Sequence, residues 1–271
     1  MIAGQIRPAC RYAAPVLSGA VTETFHVKSS EPMFNVPPVV MGTIAAFVIV
    51  QLGRQFLLSP DDDIDFLLWF SFIPARYDSA LQPSAVLPGG LAADLWTFVT
   101  YALIHGNWVH LAVNSVWLLP FGTVVARRFG GSRYLLFFAI TAAAGAAAHL
   151  LTNWGTILPM VGASAAVSGF MAAATRFAFQ PGGPLDSWRH HDPESYLLPA
   201  APLPAVLRNP RVFAFVGVWF GLNLLFGIGA AAIPGSDEAV AWQAHIGGFL
   251  AGLFLFPLFD PVRPASNEPP A

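Results

Sequence analysis

Residues 95–121 read LWTFVTYALIHGNWVHLAVNSVWLLPF, and no Asp, Glu, Lys or Arg occurs between Asp94 and Arg127. A helix crossing the hydrocarbon core of a bilayer needs about 20 predominantly apolar residues. This stretch therefore predicts a membrane span, and backbone satisfaction in lipid demands a helix rather than an open strand. Five further apolar segments flank it, at about 38–58, 134–151, 162–179, 212–233 and 239–259. The pattern predicts an all-α integral membrane protein, a bundle of six transmembrane helices with a long outer loop between the first and second. No internal repeat is evident.

Composition agrees. Of 271 residues, 55% are hydrophobic and only 10% charged, against about 25% charged in a soluble domain. Such a chain cannot cover a soluble surface without large apolar patches. A net charge of −2 supplies no basic footprint for nucleic acid. The single cysteine, Cys10, excludes an intramolecular disulfide and a cysteine-based metal cluster.

The organisation read from this pattern is a flexible cytoplasmic tail over 1–35, a membrane domain over 36–260 and a cytoplasmic tail over 261–271. Residues 1–35 lack the apolar core of a cleavable signal peptide. Met33, directly before Phe34-Asn35-Val36-Pro37-Pro38, is a second candidate start. A cytoplasmic N-terminus places Arg7, Arg11, Lys28, Arg127, Arg128, Arg133, Arg176, Arg189, Arg208, Arg211 and Arg263 inside, leaving only Arg54 and Arg76 outside. That bias predicts both termini in the cytoplasm. The outer loop, 59–94, includes the short apolar run 66–72, expected to lie in the interface. The proline-rich loop 180–210 is expected to be irregular.

Polar side chains inside a bilayer are costly and are candidates for function. The second segment has His105, His110 and Asn114. On one helix, His110 and Asn114 project about 40° apart and share a face, whereas His105 and His110 project about 140° apart. Ser164 stands in the first turn of the fourth segment, where free backbone N–H groups and the positive helix end lie close to its hydroxyl. In the sixth segment, His245 adjoins a ridge of Ala244, Gly248 and Gly252. That ridge matches Ala165, Gly169 and Ala173 of the fourth segment and allows close helix approach. Ser168, His149, Trp219 and Asn223 read as packing residues, and His190 and His191 as solvated loop residues.

With these motifs in place, the chain resembles the rhomboid family of intramembrane serine proteases. The resemblance spans about 36–260. It rests on His105-Gly106-Asn107-Trp108-Val109-His110-Leu111-Ala112-Val113-Asn114 followed by Phe121-Gly122, on Gly162-Ala163-Ser164-Ala165, and on Ala244-His245-Ile246-Gly247-Gly248 through Gly252. Each motif alone is weak; the three in order on the expected segments are specific. The resemblance implies a serine endopeptidase with Ser164 as nucleophile and His245 as general base, without cofactor or metal. It implies oxyanion stabilisation by His110, Asn114 and the Ser164 backbone N–H, and a structural role for His105. No aspartate occupies the middle of a segment, so packing and a hydrogen bond must orient His245. Substrates would be single-span or other membrane proteins within the bilayer, admitted beside a gate at Phe213, Phe215, Trp219 and Phe220. A bacterial inner-membrane location is expected.

The sequence departs from the family pattern at three places. Ala165 follows the serine where glycine is usual. Ser168 replaces a common aromatic, so Trp242, a water or Ser168 itself is expected to hold His245. Trp96-Thr97 replaces a Trp-Arg pair, so the outer loop is expected to be anchored differently. The alternative within the fold is an inactive rhomboid-like binder or escort of membrane proteins. A transporter would need charged residues near the midplane or broken-helix repeats. A haem protein would need a matched pair among His105, His110, His149 and His245. The pattern supplies neither.

Overall fold

A computed structural model describes residues 35–80, 87–186, 193–227 and 240–262. The chain divides after Asn35, and the unit beginning at Val36 is considered below. Cys10, Met33, His190, His191 and nearly all of both expected tails lie outside the described residues.

The described residues are helical, with one isolated antiparallel bridge between Phe72 and Met160. Among the described residues nine α-helices run in order: α1 (Pro38–Leu57), α2 (Pro60–Phe70), α3 (Gly90–Thr100), α4 (Trp108–Phe129), α5 (Gly131–Thr152), α6 (Ser164–Thr175), α7 (Leu203–Arg208), α8 (Pro210–Gly227) and α9 (Trp242–Phe259). Five of them, α1, α4, α5, α8 and α9, are long and apolar enough to cross a membrane, and α6 is a shorter apolar helix. Proline opens α1, α2 and α8, where its missing N–H costs nothing and its fixed φ suits the first turn. In α2, the Ser59 hydroxyl accepts from the Asp62 N–H, and Asp61, Asp62 and Asp63 occupy the first turn, where negative charge favours the helix end.

The run 95–121 is not one helix, contrary to the uniform reading of its apolar residues. The chain leaves α3 at Thr100, makes a single tight turn over Tyr101–Leu103 and restarts at Trp108. Asn107 causes the restart. Its backbone is extended (φ −158°, ψ 174°), and its Oδ1 accepts from the His110 N–H at 2.8 Å, an N-cap that satisfies an orphan donor. His105 therefore lies outside α4, and the 140° projection does not apply. Its ring meets that of His110 edge-on, with centroids 5.2 Å apart.

The core is a backbone-to-backbone junction of α5, α6 and α9. A Cβ at Gly248 would fall on the Ala165 carbonyl oxygen, and one at Gly252 on the Gly169 carbonyl oxygen. A Cβ at Gly247 would lie 2.6 Å from the Ala144 carbonyl oxygen. The small-residue ridge foreseen on the sixth segment does seat on Ala165 and Gly169. The methyl of Ala165 is accommodated by α5, where a Cβ at Gly145 would collide with it.

The two ends of α4 are tied differently. Near its N-terminus, Arg54 forms a two-pronged pair with Asp63 (2.7 and 3.0 Å) and donates to the His105 carbonyl at 2.8 Å. Arg76 donates to the carbonyls of Pro88 and Leu68, and Trp96 Nε1 donates to that of Trp69. An arginine from the 59–94 segment itself thus ties it down, where the sequence has Thr97 instead of arginine. At the other end, Arg128 is buried. It makes two 2.8 Å bonds to Asp260, donates to the carbonyls of Tyr196 and Leu198, and lies 4.4 Å over the Phe177 ring. Removing one partner of a buried pair strands a charge. Asp260→Ala should therefore lower stability by about 3–5 kcal/mol, read as a large drop in thermal midpoint. An unchanged midpoint would mean that the backbone carbonyls alone satisfy Arg128.

Candidate functional site

Three helix N-termini meet around Ser164. Ser164 is the first residue of α6, His245 lies in the first turn of α9 and His110 in the first turn of α4. Each start carries the positive end of a helix dipole. A developing negative charge is favoured in such a setting.

The segment before α6 is shaped by Gly162. Its φ of +118° is one that a side chain rarely tolerates, and a Cβ there would lie 2.6 Å from His110 Nε2. The Gly162 N–H donates to the Tyr101 carbonyl at 3.0 Å. Glycine therefore lets the His110 ring pack directly on the turn leading into Ser164. Most of α6 is buried, but Ser164 is only partly so.

Ser164 Oγ lies 2.6 Å from His245 Nε2. The two residues are 81 positions apart in sequence, and the tight α6–α9 junction allows these short side chains to touch. The other ring nitrogen, His245 Nδ1, is hydrogen-bonded to Asn223 Oδ1 on α8. Asn223 Nδ2 donates to the Trp219 carbonyl at 2.8 Å. The sequence reads Asn223 as a packing residue, yet its side chain is the one bonded to His245. The signal was available: an amide inside an apolar segment needs a partner. Neither Ser168 nor Trp242 takes that role. Ser168 Oγ donates to the Ser164 carbonyl at 2.7 Å, and Trp242 packs against Gly227.

His110 and Asn114 stand one turn apart on α4, as their spacing predicts. Asn114 is buried, and its Nδ2 donates to the His110 carbonyl at 3.0 Å. His105, outside the spanning helices, is fully buried and packs on Phe47 with ring centroids 4.9 Å apart. Burial, reinforced by His110 and Arg54, pulls its pKa down to about 3, so it packs as a neutral ring. His149 Nδ1 pairs with Asn153 at the end of its own helix. Among the described residues, no group of three or more His, Cys, Asp or Glu side chains could hold a metal ion.

Of the residues expected to form a gate, Phe213 and Phe220 are exposed. Phe215 packs on Phe121 and Phe179. Trp219 stacks on Phe249 of α9 with centroids 4.7 Å apart.

The chain is similar to known proteins over part of its length. Residues 92–187 match the model of the Rhomboid domain. RHOMBOID-like protein 4 of Arabidopsis thaliana is 29% identical over 231 residues, 81% of this chain and 51% of that protein. RHOMBOID-like protein 5 of the same plant is 26% identical over 200 residues, 70% of this chain and 55% of that protein. The rhomboid protease GlpG of Haemophilus influenzae is 24% identical over 99 residues, 36% of this chain and 43% of that protein. The chain spans about half the length of these curated relatives.

Proposed function

Because the chain is a rhomboid-family membrane protein, we propose that it is an intramembrane serine endopeptidase, hydrolysing a peptide bond within or beside a transmembrane helix of its substrate. The observation that carries this reading is the 2.6 Å contact between Ser164 Oγ and His245 Nε2. A serine hydroxyl is a weak nucleophile until an adjacent base accepts its proton. In this mechanism His245 Nε2 takes that proton as Oγ attacks the scissile carbonyl carbon. His245 then gives the proton to the leaving amine, and water hydrolyses the acyl-enzyme by the same route.

The oxyanion would be stabilised by the Ser164 backbone N–H, His110 and Asn114. Support comes from the seat of His110 against Gly162 and from the converging helix N-termini. Loss of one such donor costs on the order of 10²–10³ in rate.

α6 is read as the fourth of the six spans. Its 12 residues reach about 18 Å at 1.5 Å per residue, short of a hydrocarbon core about 30 Å thick. A helix that short is tolerated because it is enclosed by α4, α5 and α9 rather than by lipid. Its N-terminal residue then starts below the membrane surface, at the floor of a water-accessible depression on the side away from the Arg128 end. The Lys/Arg distribution supports an exterior position for that side and cytoplasmic termini; a bacterial inner membrane is the location this reading expects.

The test is direct. The full chain is reconstituted in liposomes with a single-span reporter whose helix carries small and helix-breaking residues near the outer boundary. Two fragments are expected, and neither with Ser164→Ala. A reporter that co-purifies intact with folded wild-type protein would overturn the protease reading in favour of a binder or escort of membrane proteins.

A further inference from the structure

Among the described residues no carboxylate meets the His245 ring, yet its Nδ1 is engaged. The engaging group is the side chain of Asn223 on α8, buried at 8% exposure. We propose that Asn223 is the positioning residue of the catalytic centre. By accepting from Nδ1–H it fixes the tautomer of His245 that leaves Nε2 bare and aimed at Ser164. This rests on the reading of Ser164 and His245 as nucleophile and base.

The chain of donors and acceptors leaves one consistent arrangement. The Trp219 carbonyl can only accept, so the atom of Asn223 facing it at 2.8 Å is the amide nitrogen. The amide oxygen is thereby turned to His245 Nδ1. That oxygen can only accept, so Nδ1 bears the proton. A neutral imidazole has one N–H, so Nε2 bears none and can accept from the Ser164 hydroxyl 2.6 Å away. The opposite tautomer would set two lone pairs against each other at Nδ1 and remove the base from Ser164.

A neutral amide suits this place better than a carboxylate. It orients the imidazole without burying a second charge in a low-dielectric site, where charge is costly. Asn223 also joins α8 to the reacting pair. α8 buries only Val212, Trp219 and Asn223 among its described side chains. The stacking of Trp219 on Phe249, one turn away, keeps α8 against α9 and so holds the amide in register. His110, seated against Gly162 on the turn before Ser164, is the other titratable side chain at the site.

The full chain in detergent micelles, labelled with ¹⁵N in its histidine rings, tests this. The His245 resonances are assigned by their loss in His245→Gln. Wild type should show protonated Nδ1 and bare Nε2, and Asn223→Ala should lose that preference. In parallel, the rate at which a fluorophosphonate labels Ser164 is measured. Asn223→Ala should slow it by about 10²-fold, the range expected when proton transfer is misdirected. Asn223→Asp keeps an acceptor oxygen at the same reach, and should retain the rate within about tenfold of wild type, moving the acid limb of its pH profile upward because a carboxylate favours the imidazolium. That limb would not move if Asn223 served packing alone. A wild-type ring protonated on Nε2, or an unchanged ring tautomer in folded Asn223→Ala, would overturn the proposal. Absent labelling of wild-type Ser164 would instead defeat the protease reading, while the ring spectra still decide the role of Asn223.

Discussion

Ser164→Ala and His245→Ala should each reduce turnover of a membrane-embedded substrate by on the order of 10³–10⁶-fold, and the double variant should lose little more. The reason is that nucleophile and base act as one unit. Without the hydroxyl, His245 has nothing to deprotonate; without the imidazole, Ser164 is an ordinary alcohol at neutral pH. The thermal midpoint should change little in Ser164→Ala, since the alanine methyl fits where Cβ already stands and Ser168 keeps its bond to the residue 164 carbonyl. His245→Ala strands the Asn223 oxygen and should cost about 1–3 kcal/mol. The measurement pairs fragment formation in liposomes with fluorophosphonate labelling and thermal unfolding of each variant. Retained cleavage in folded Ser164→Ala would remove Ser164 from the chemistry. Additive losses in the double variant would mean that the two side chains act separately.

Much of this site was legible in the chain because its parts are short-range patterns. Apolar segment length marked the spans. The placement of Ser164 at the head of one segment and His245 beside a small-residue ridge anticipated their contact. Two features were not legible, for different physical reasons. The break at 101–107 is invisible to hydropathy, since Tyr101, Leu103 and Ile104 are as apolar as a span. It is set instead by the Asn107 cap and by the Gly162 N–H docking on the Tyr101 carbonyl. The second is Asn223. Its partner lies on another helix, 22 positions away, and no local spacing connects them. What the sequence did show was a lone amide in an apolar helix, and the cost of leaving it unpaired was the clue.

Gly248 is the position where a small change should do most harm to stability. An added Cβ would overlap the Ala165 carbonyl oxygen and lie 2.7 Å from its carbonyl carbon. These are backbone atoms of a buried helix and cannot rotate aside. Nor can α6 retreat. On its far side Thr141 of α5 fills the space against Gly169, and the Ala165 methyl already occupies the gap left by Gly145. Gly248→Val should therefore cost more than about 4 kcal/mol, the range of severe overpacking and backbone displacement. Gly248→Ala should lower the thermal midpoint clearly. Gly217 and Gly221 of α8 supply the control, because an added Cβ there meets nothing within 4 Å. Alanine at either should be neutral or stabilising by up to about 1 kcal/mol through helix propensity. Equal midpoints for Gly248→Ala and Gly221→Ala would refute the backbone contact between α6 and α9. The same contact sets the chemistry: His245 is one turn from Gly248 on α9, and Ser164 adjoins Ala165 on α6. Whatever pushes the helices apart at this crossing also separates Nε2 from Oγ. Loss of labelling in Gly248→Ala should then exceed what the unfolded fraction explains, which activity normalised to folded protein would reveal.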